Sequence, residues 1–222
     1  MLKRLVFTLA ALSSAASAET LTCPVGGERF EAPAIAVCGE YIGQTMLLMS
    51  AGCPPDKLPQ CPQNFLPMYK AFSAEELALL AQFMQSETYD SNVDFSPYYL
   101  AYIIEKHLNG QDSQLPALLL LWGMWQDPAL IFEDPDYMAA LSREIEANFY
   151  PATSDDNARL LAMLAFTQLL AGHTEAGLSY VARAESQNAG SAEALAYLRA
   201  VRACFTDPSA RHCTASAAIP QP

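Results

Sequence analysis

The sequence predicts a mainly α-helical protein, in which about seven antiparallel helices follow a small cysteine-rich module. Three observations support this fold class. The 222 residues are 52% hydrophobic and 16% charged, which is typical of a globular chain and not of a disordered one. From residue 71 onward, apolar side chains recur with the period of a helix between clear helix-start and helix-end signals. Residues 19–70 are instead rich in Pro, Gly and Cys.

The first 18 residues have the three-part pattern of a cleavable secretory signal. Lys3 and Arg4 precede an apolar stretch at residues 5–12, and small residues then extend to Ala18. The apolar stretch is shorter than the roughly 20 residues that span a bilayer. We therefore expect cleavage after Ala18 and a periplasmic or secreted protein that has no membrane span.

The charge of the chain argues against nucleic-acid partners. Twelve basic and 24 acidic residues give a formal net charge of −12, which becomes −14 when Lys3 and Arg4 are removed with the signal. An acidic surface repels DNA and RNA before any base is read. The acidity favours solubility, with an acidic docking face as the alternative.

The region between the signal and the helices is predicted to be a compact, loop-rich module. Five prolines between positions 54 and 67 prevent any long helix there. Segments 34–38 and 44–49 are compatible with short strands or with one short helix. The chain is thus divided into a signal peptide (1–18), the module (19–70), a helical domain (71–205) and a partly disordered tail (206–222).

The first two helices are predicted from their end signals. Ser73 and Glu76 have the S-x-x-E spacing of a capping box, in which each side chain binds the free amide of the other residue. Apolar side chains then recur at i, i+3, i+4 and i+7, so this helix is predicted to extend to about Glu87. The second helix is predicted from Pro97 to the pair Asn109-Gly110, which is typical of a left-handed helix end.

Five more helices are predicted before the tail. The run LPALLLLWGMW, residues 115–125, is apolar on nearly all sides, so it is expected at the centre of the core. The pairs Asp127-Pro128 and Tyr150-Pro151 interrupt the chain. The predicted helices are about 113–126, 136–148, 155–171, 174–187 and 191–205.

One helical segment resembles a known repeat. The sequence GHTEAGLSYVARA, residues 172–184, is similar to the turn and second helix of a tetratricopeptide repeat (TPR), where small residues let the second helix pack closely on the first. Residues 98–122 have a similar hairpin pattern. The resemblance implies TPR-like antiparallel helical hairpins without a regular array. The small and apolar residues at the expected offsets are Gly177, Val181 and Ala184.

The N-terminal cysteines begin two half-knuckles. Cys23 begins Cys-Pro-Val-Gly and Cys61 begins Cys-Pro-Gln-Asn, each with the outline of the Cys-Pro-x-Cys turn that presents two sulfurs to one zinc ion. The second ligand position holds Gly26 in one turn and Asn64 in the other. Each turn therefore keeps only its first cysteine.

The layout of the whole chain resembles a bacterial family of unknown function. Members of that family have paired Cys-Pro-x-Cys knuckles, an aromatic residue soon after each knuckle, and TPR-like helices that follow. Phe30, Phe65 and Tyr69 match the aromatic positions, and the match covers most of residues 20–187. The resemblance implies that this chain is an exported member whose zinc ribbon is degenerate.

In a ribbon the first cysteines of the two knuckles lie a few ångström apart, a separation that suits a disulfide. The resemblance therefore implies a Cys23–Cys61 disulfide in place of zinc. A Cys38–Cys53 disulfide nested in that loop is the simplest further pairing, and Cys204–Cys213 is expected to close locally, although six cysteines permit 15 pairings. The alternative is a zinc or copper site that uses Cys23, Cys61 and two other cysteines.

No familiar catalytic motif is present in the sequence. It lacks a G-x-S-x-G elbow, a glycine-rich phosphate loop and an H-E-x-x-H pair. We therefore predict no catalytic residue, no cofactor and no bound metal. The main function expected is non-enzymatic binding of an envelope or secreted protein or peptide, and the alternatives are a metal-binding protein or an enzyme of unrecognised type.

Aromatic residues concentrated in the middle helices are the candidate binding residues. They either pack in the interior or line a concave groove that holds a peptide or a partner helix. The residues predicted for this partner groove are Tyr98, Tyr99, Tyr102, Trp122 and Trp125.

Overall fold

The computed structural model describes residues 19–32, 58–110, 113, 115–127, 129–148 and 153–214. These residues form two short strands and nine α-helices, so the protein is mainly helical, as the sequence predicts. The predicted signal peptide, both undecided segments of the module and the Cys38–Cys53 pair lie outside the described residues.

The described residues begin with a two-stranded antiparallel sheet. Strands β1 (Glu19–Thr22) and β2 (Arg29–Ala32) pair so that Glu19 lies opposite Ala32. Gly26 and Gly27, in the connection between the strands, have φ angles of 99° and 73°. This left-handed region carries a steric cost for residues with a Cβ atom, which glycine avoids.

Seven of the helices in the described residues have ten residues or more, and they lie where the sequence predicts the seven helices. Two additional helices have four residues each, α2 (Glu87–Asp90) and α5 (Leu130–Glu133). A 3₁₀ turn follows the last helix at Arg211–Cys213. The longer helices are α1 (Ala74–Phe83), α3 (Pro97–Asn109), α4 (Leu115–Gln126), α6 (Pro135–Asn148), α7 (Ser154–Leu170), α8 (Thr174–Glu185) and α9 (Ala192–Thr206).

The first helix begins as predicted and ends early. The Ser73 hydroxyl accepts from the Glu76 amide at 3.2 Å, and the Glu76 carboxylate accepts from the Ser73 amide at 2.8 Å, which completes the capping box. The predicted extension to Glu87 is wrong because Ser86 begins a new helix. Its hydroxyl accepts from the Tyr89 amide at 3.2 Å, and α2 is therefore separate from α1.

The hydrophobic core has two parts that meet at α3. Tyr98 and Tyr102 on one face of α3 belong to the larger part, which is formed with α4 and α6–α9. Leu100 and Ile104 belong to the smaller part, which surrounds the N-terminal cysteines and α1. The cysteine-rich module is therefore packed against the helical part through an apolar contact.

Two helices are enclosed within the larger part of the core. The predicted central helix, α4, is buried there at Leu119, Leu120 and Met124. Helix α7 is enclosed as well, since ten of its 17 residues are buried and it packs against both α8 and α9. No helix in the described part of the chain is long and apolar enough to cross a bilayer.

Candidate functional site

The two half-knuckles fold as the same turn. In each turn the cysteine amide donates to the carbonyl five residues later, and the cysteine carbonyl accepts from the amide four residues later. The residue four positions after the cysteine has a positive φ in both turns. The pairs and their N···O distances are Cys23 with Glu28 (2.8 Å) and Gly27 (3.1 Å), and Cys61 with Leu66 (3.0 Å) and Phe65 (2.9 Å).

A disulfide joins the two turns, which confirms the predicted Cys23–Cys61 pairing. The two Cα atoms lie 5.7 Å apart, within the normal range for a cystine. Both residues are fully buried in the smaller part of the core, where Leu66, Leu80 and Phe83 surround them. While this bond is intact neither sulfur offers a thiolate to a metal ion, so the alternative N-terminal metal site lacks two of its ligands.

Polar side chains connect the turns where the second pair of knuckle cysteines is missing. The side-chain amide of Asn64 donates to the Val25 carbonyl at 2.9 Å. The backbone amide of Gln63 donates to the Glu28 carboxylate at 3.1 Å. A Cβ atom at Gly26 would lie 3.7 Å from the Asn64 side chain. The two positions that differ from the knuckle pattern, Gly26 and Asn64, therefore lie close together, and hydrogen bonds join the two turns there.

A second disulfide, Cys204–Cys213, is also confirmed. Its Cα atoms lie 5.4 Å apart, and it fastens the turn after α9 back onto that helix. Two groups in the described residues bring three ligand-bearing side chains within 4.8 Å of one another. These groups are Cys23, Glu28 and Cys61, and Cys204, His212 and Cys213.

The predicted aromatic groove is largely interior. Tyr98 and Tyr102 are 3% and 5% exposed and belong to the core, so they offer no surface to a partner. Tyr99 and Trp122 are half-buried, and their rings pack beside Tyr102 at 5.5 Å and Tyr98 at 6.4 Å respectively. The side chain of Trp125 lies outside the described part. Interior packing, the alternative that the sequence left open, accounts for the buried pair.

Glu105, on α3, is a buried carboxylate with several donors. It accepts from the Lys70 ammonium at 2.8 Å and from the Tyr69 hydroxyl at 3.0 Å, both from the segment before α1. Asn109 and Ser113 donate at 2.7 and 3.1 Å. Burial by itself raises the pKa of Glu105, but the hydrogen bonds from Lys70, Asn109 and Tyr69 outweigh it and hold the pKa below its usual range.

Glu144, on α6, has a similar set of hydrogen-bond donors. It is 2% exposed, and it accepts from the Lys106 ammonium at 3.1 Å and from the Tyr102 hydroxyl at 3.4 Å. Each of the two buried carboxylates is thus paired with one lysine and one tyrosine. Buried groups that are paired in this way connect the segments that carry them.

An open groove lies between α8 and α9, because both helices pack mainly on α7. We call it the α8–α9 groove; its volume is about 270 Å³. Leu178 on its wall is 47% exposed, and Val181 is buried beside it. The lining residues are Leu178, Val181, Ala182, Glu185, Arg202, Phe205 and Thr206.

The groove combines apolar side chains with polar groups at its edge. The described residues that line it include no cysteine, histidine or serine, and an ion pair joins Glu185 and Arg202 at the rim. An apolar wall with a few polar groups at the edge fits the apolar side chains of a peptide or helix. The sequence contains one signal for the groove. Leu178 is an apolar residue of α8 outside the buried stripe formed by Gly177, Val181 and Ala184.

Comparison of the chain with models of protein families, with curated proteins and with solved structures found no match. The functional interpretation of this protein therefore depends on the geometry and chemistry of its own residues. The α8–α9 groove is a described surface that offers a partner both concave shape and exposed apolar area.

Proposed function

We propose that this protein is an exported, non-enzymatic interaction module that binds an envelope or secreted protein or peptide in the α8–α9 groove. The observation that carries the proposal is the groove itself, an apolar cleft on the last helix pair with Leu178 exposed beside it. Binding of an apolar side chain or helix face there removes this surface from water, which is favourable.

The helix pairs support a TPR-like architecture. Gly172 ends α7 with a φ of 82°, and α8 then packs along α7. Gly177 lets α8 approach closely, because a Cβ atom there would lie 2.9 Å from the Ala165 carbonyl oxygen. The same pattern occurs at Gly110, with a φ of 61°, between α3 and α4.

The place of the groove in such a stack supports binding. Each helix pair of a repeat protein buries its apolar face against the next pair, so the last pair usually has a polar outer face. Here the last pair exposes Leu178 and leaves Phe205 only partly covered. A partner that occupies the groove continues the stack and covers both side chains.

Export is supported by the two disulfides and by the signal-like N-terminal sequence. Disulfides persist in the periplasm and outside the cell, whereas the cytosol keeps thiols reduced. The matching turns at Cys23 and Cys61 support descent from a zinc ribbon, as in the bacterial family that the chain resembles. In an oxidising compartment the disulfide then holds the two turns together, as the zinc ion does in a complete ribbon.

A matched pair of substitutions tests the function. Leu178→Asp places a charge in the groove, whereas Leu79→Asp changes a leucine of similar exposure, 42%, on the distant helix α1. The tagged variants and wild type are produced and cross-linked in the source organism, and bound proteins are identified by mass spectrometry.

We expect wild type and Leu79→Asp to capture the same envelope or secreted protein, and Leu178→Asp to capture at least tenfold less of it. Equal capture by all three proteins, or turnover of a defined substrate without a captured partner, contradicts the proposal.

A further inference from the structure

The turn after α9 carries a second feature, and the inference drawn from it does not rest on the proposed function. We infer that Cys204, Cys213 and His212 form a redox-gated metal site, which binds a zinc-like ion once the Cys204–Cys213 disulfide is reduced. The oxidised protein keeps the two sulfurs joined, and the reduced protein offers two thiolates and an imidazole.

The three ligand atoms are already close enough for a tetrahedral ion. They lie within 4.8 Å of one another. With Zn–S near 2.3 Å and Zn–N near 2.0 Å, tetrahedral geometry needs about 3.8 Å between the sulfurs and about 3.6 Å from sulfur to nitrogen. The sulfurs therefore separate and the imidazole approaches by side-chain rotation, and water fills the fourth position, as in zinc sites with three protein ligands.

The donor set selects the class of metal. Two thiolates and one imidazole are soft and borderline ligands, which favour Zn²⁺ or Cu⁺ over Mg²⁺ and Ca²⁺. His212 is only partly buried, and no described residue makes a hydrogen bond to its imidazole. Its ring is therefore free to turn toward the sulfurs.

The C-terminal disulfide is a better candidate for reduction than the N-terminal one. Both disulfides are buried. Cys23 and Cys61 are separated by 38 residues and hold two segments together, and their third neighbour, Glu28, already accepts from the Gln63 backbone amide. Cys204 and Cys213 are only nine residues apart. After reduction α9 stays packed through Tyr197 and Val201, so only the turn at 207–213 loosens.

The chemistry balances with a dithiol as reductant. The dithiol loses two electrons and two protons and becomes a disulfide, while the Cys204–Cys213 bond breaks and each sulfur gains a hydrogen. Metal binding then releases those two thiol protons to solvent, and His212 binds as neutral imidazole through one ring nitrogen.

Cobalt binding to the mature chain tests this inference. Co²⁺ replaces Zn²⁺ as a spectroscopic probe, and thiolate ligands give it a sulfur-to-cobalt charge-transfer band. We expect no band in the oxidised protein and a stoichiometric band after reduction with a dithiol, which is abolished by added Zn²⁺. Far-UV circular dichroism, recorded on the same sample, is expected to show an unchanged helical signal.

Variants locate the site. Cys204→Ser/Cys213→Ser is expected to lose the band, His212→Ala to weaken Co²⁺ binding at least tenfold, and His173→Ala, a histidine in the turn before α8, to bind as wild type does. Binding by the double variant or by His212→Ala at wild-type strength overturns the inference. A reduced protein that binds no Co²⁺, or that loses its helical signal on reduction, overturns it as well.

Discussion

At the scale of single residues, buried charges fix the position of the cysteine-rich module relative to the helices. Glu105 accepts from Lys70 and Tyr69, which follow the second half-knuckle, and from Asn109 at the end of α3. Lys70 also binds Glu76 in the capping box of α1, at 2.6 Å. A carboxylate with this many donors is stable in the interior only while all of them remain.

Removal of Glu105 is therefore expected to destabilise the protein severely. Glu105→Ala leaves the Tyr69 hydroxyl without its acceptor and leaves Lys70 and Asn109 each with one partner fewer. The expected cost is about 3 kcal/mol in the free energy of unfolding. The matched control is Glu193→Ala, since Glu193 pairs with Arg159 at 3.1 Å on the surface with 77% exposure. The control is expected to cost less than about 0.5 kcal/mol.

Urea unfolding followed by circular dichroism measures both changes. If the two variants lose similar stability, the Glu105 cluster does not connect the module to the helices in the way its contacts indicate.

Some of these residue contacts could be predicted from the sequence, and others could not. The Cys23–Cys61 pair was predictable because the Cys-Pro motif is local, and its two copies resemble the paired turns of a zinc ribbon. The Glu105 cluster was not, because Tyr69 and Glu105 are 36 residues apart and no local pattern relates them. Aromatic side chains gave an ambiguous signal, since Tyr98 and Tyr102 suit a core and a groove equally well until burial is known.

At the scale of elements, helix ends and small residues determine how the helices pair. Ser73, Pro97 and Ser191 each begin a helix near the predicted place, because cap signals are local in the sequence. The groove could not be predicted in this way, because it depends on how α8 and α9 pack on α7. Gly177 is the residue that sets the separation of α7 and α8.

Gly177→Ala is expected to destabilise this packing. Alanine normally favours a helix over glycine, but here the new Cβ would lie 2.7 Å from Phe205 Cε1 and 2.9 Å from the Ala165 carbonyl oxygen. The crowding is expected to cost about 1–3 kcal/mol in the free energy of unfolding. Gly190→Ala is the control, because a Cβ atom added there, in the loop before α9, would meet nothing within 4 Å.

Thermal unfolding of both variants measures the difference. A wild-type or raised midpoint for Gly177→Ala contradicts a close approach of α8 to α7, whereas the control is expected to stay within about 0.5 kcal/mol of wild type.

At the scale of the whole molecule, the two disulfides of the described residues lie near opposite ends of that part of the sequence, and the buried carboxylates lie between them. Cys23–Cys61 holds the module together, and Cys204–Cys213 holds the turn after α9. Leu178 is exposed in the α8–α9 groove, on the last helix pair. This arrangement is compatible with the proposed binding of a partner in the α8–α9 groove.

Site-specific photo-crosslinking in the groove tests this account most directly. A photoreactive residue replaces Ala182, which lines the groove, or Ala139, which is also exposed, on α6. Both positions are exposed alanines in helices, so each substitution leaves the fold intact. After illumination in the source organism, we expect the residue at position 182 to crosslink to one envelope or secreted protein. We expect the residue at position 139 to give no crosslink to that protein. No crosslink at position 182, or equal yields of the same product at both positions, would contradict the account.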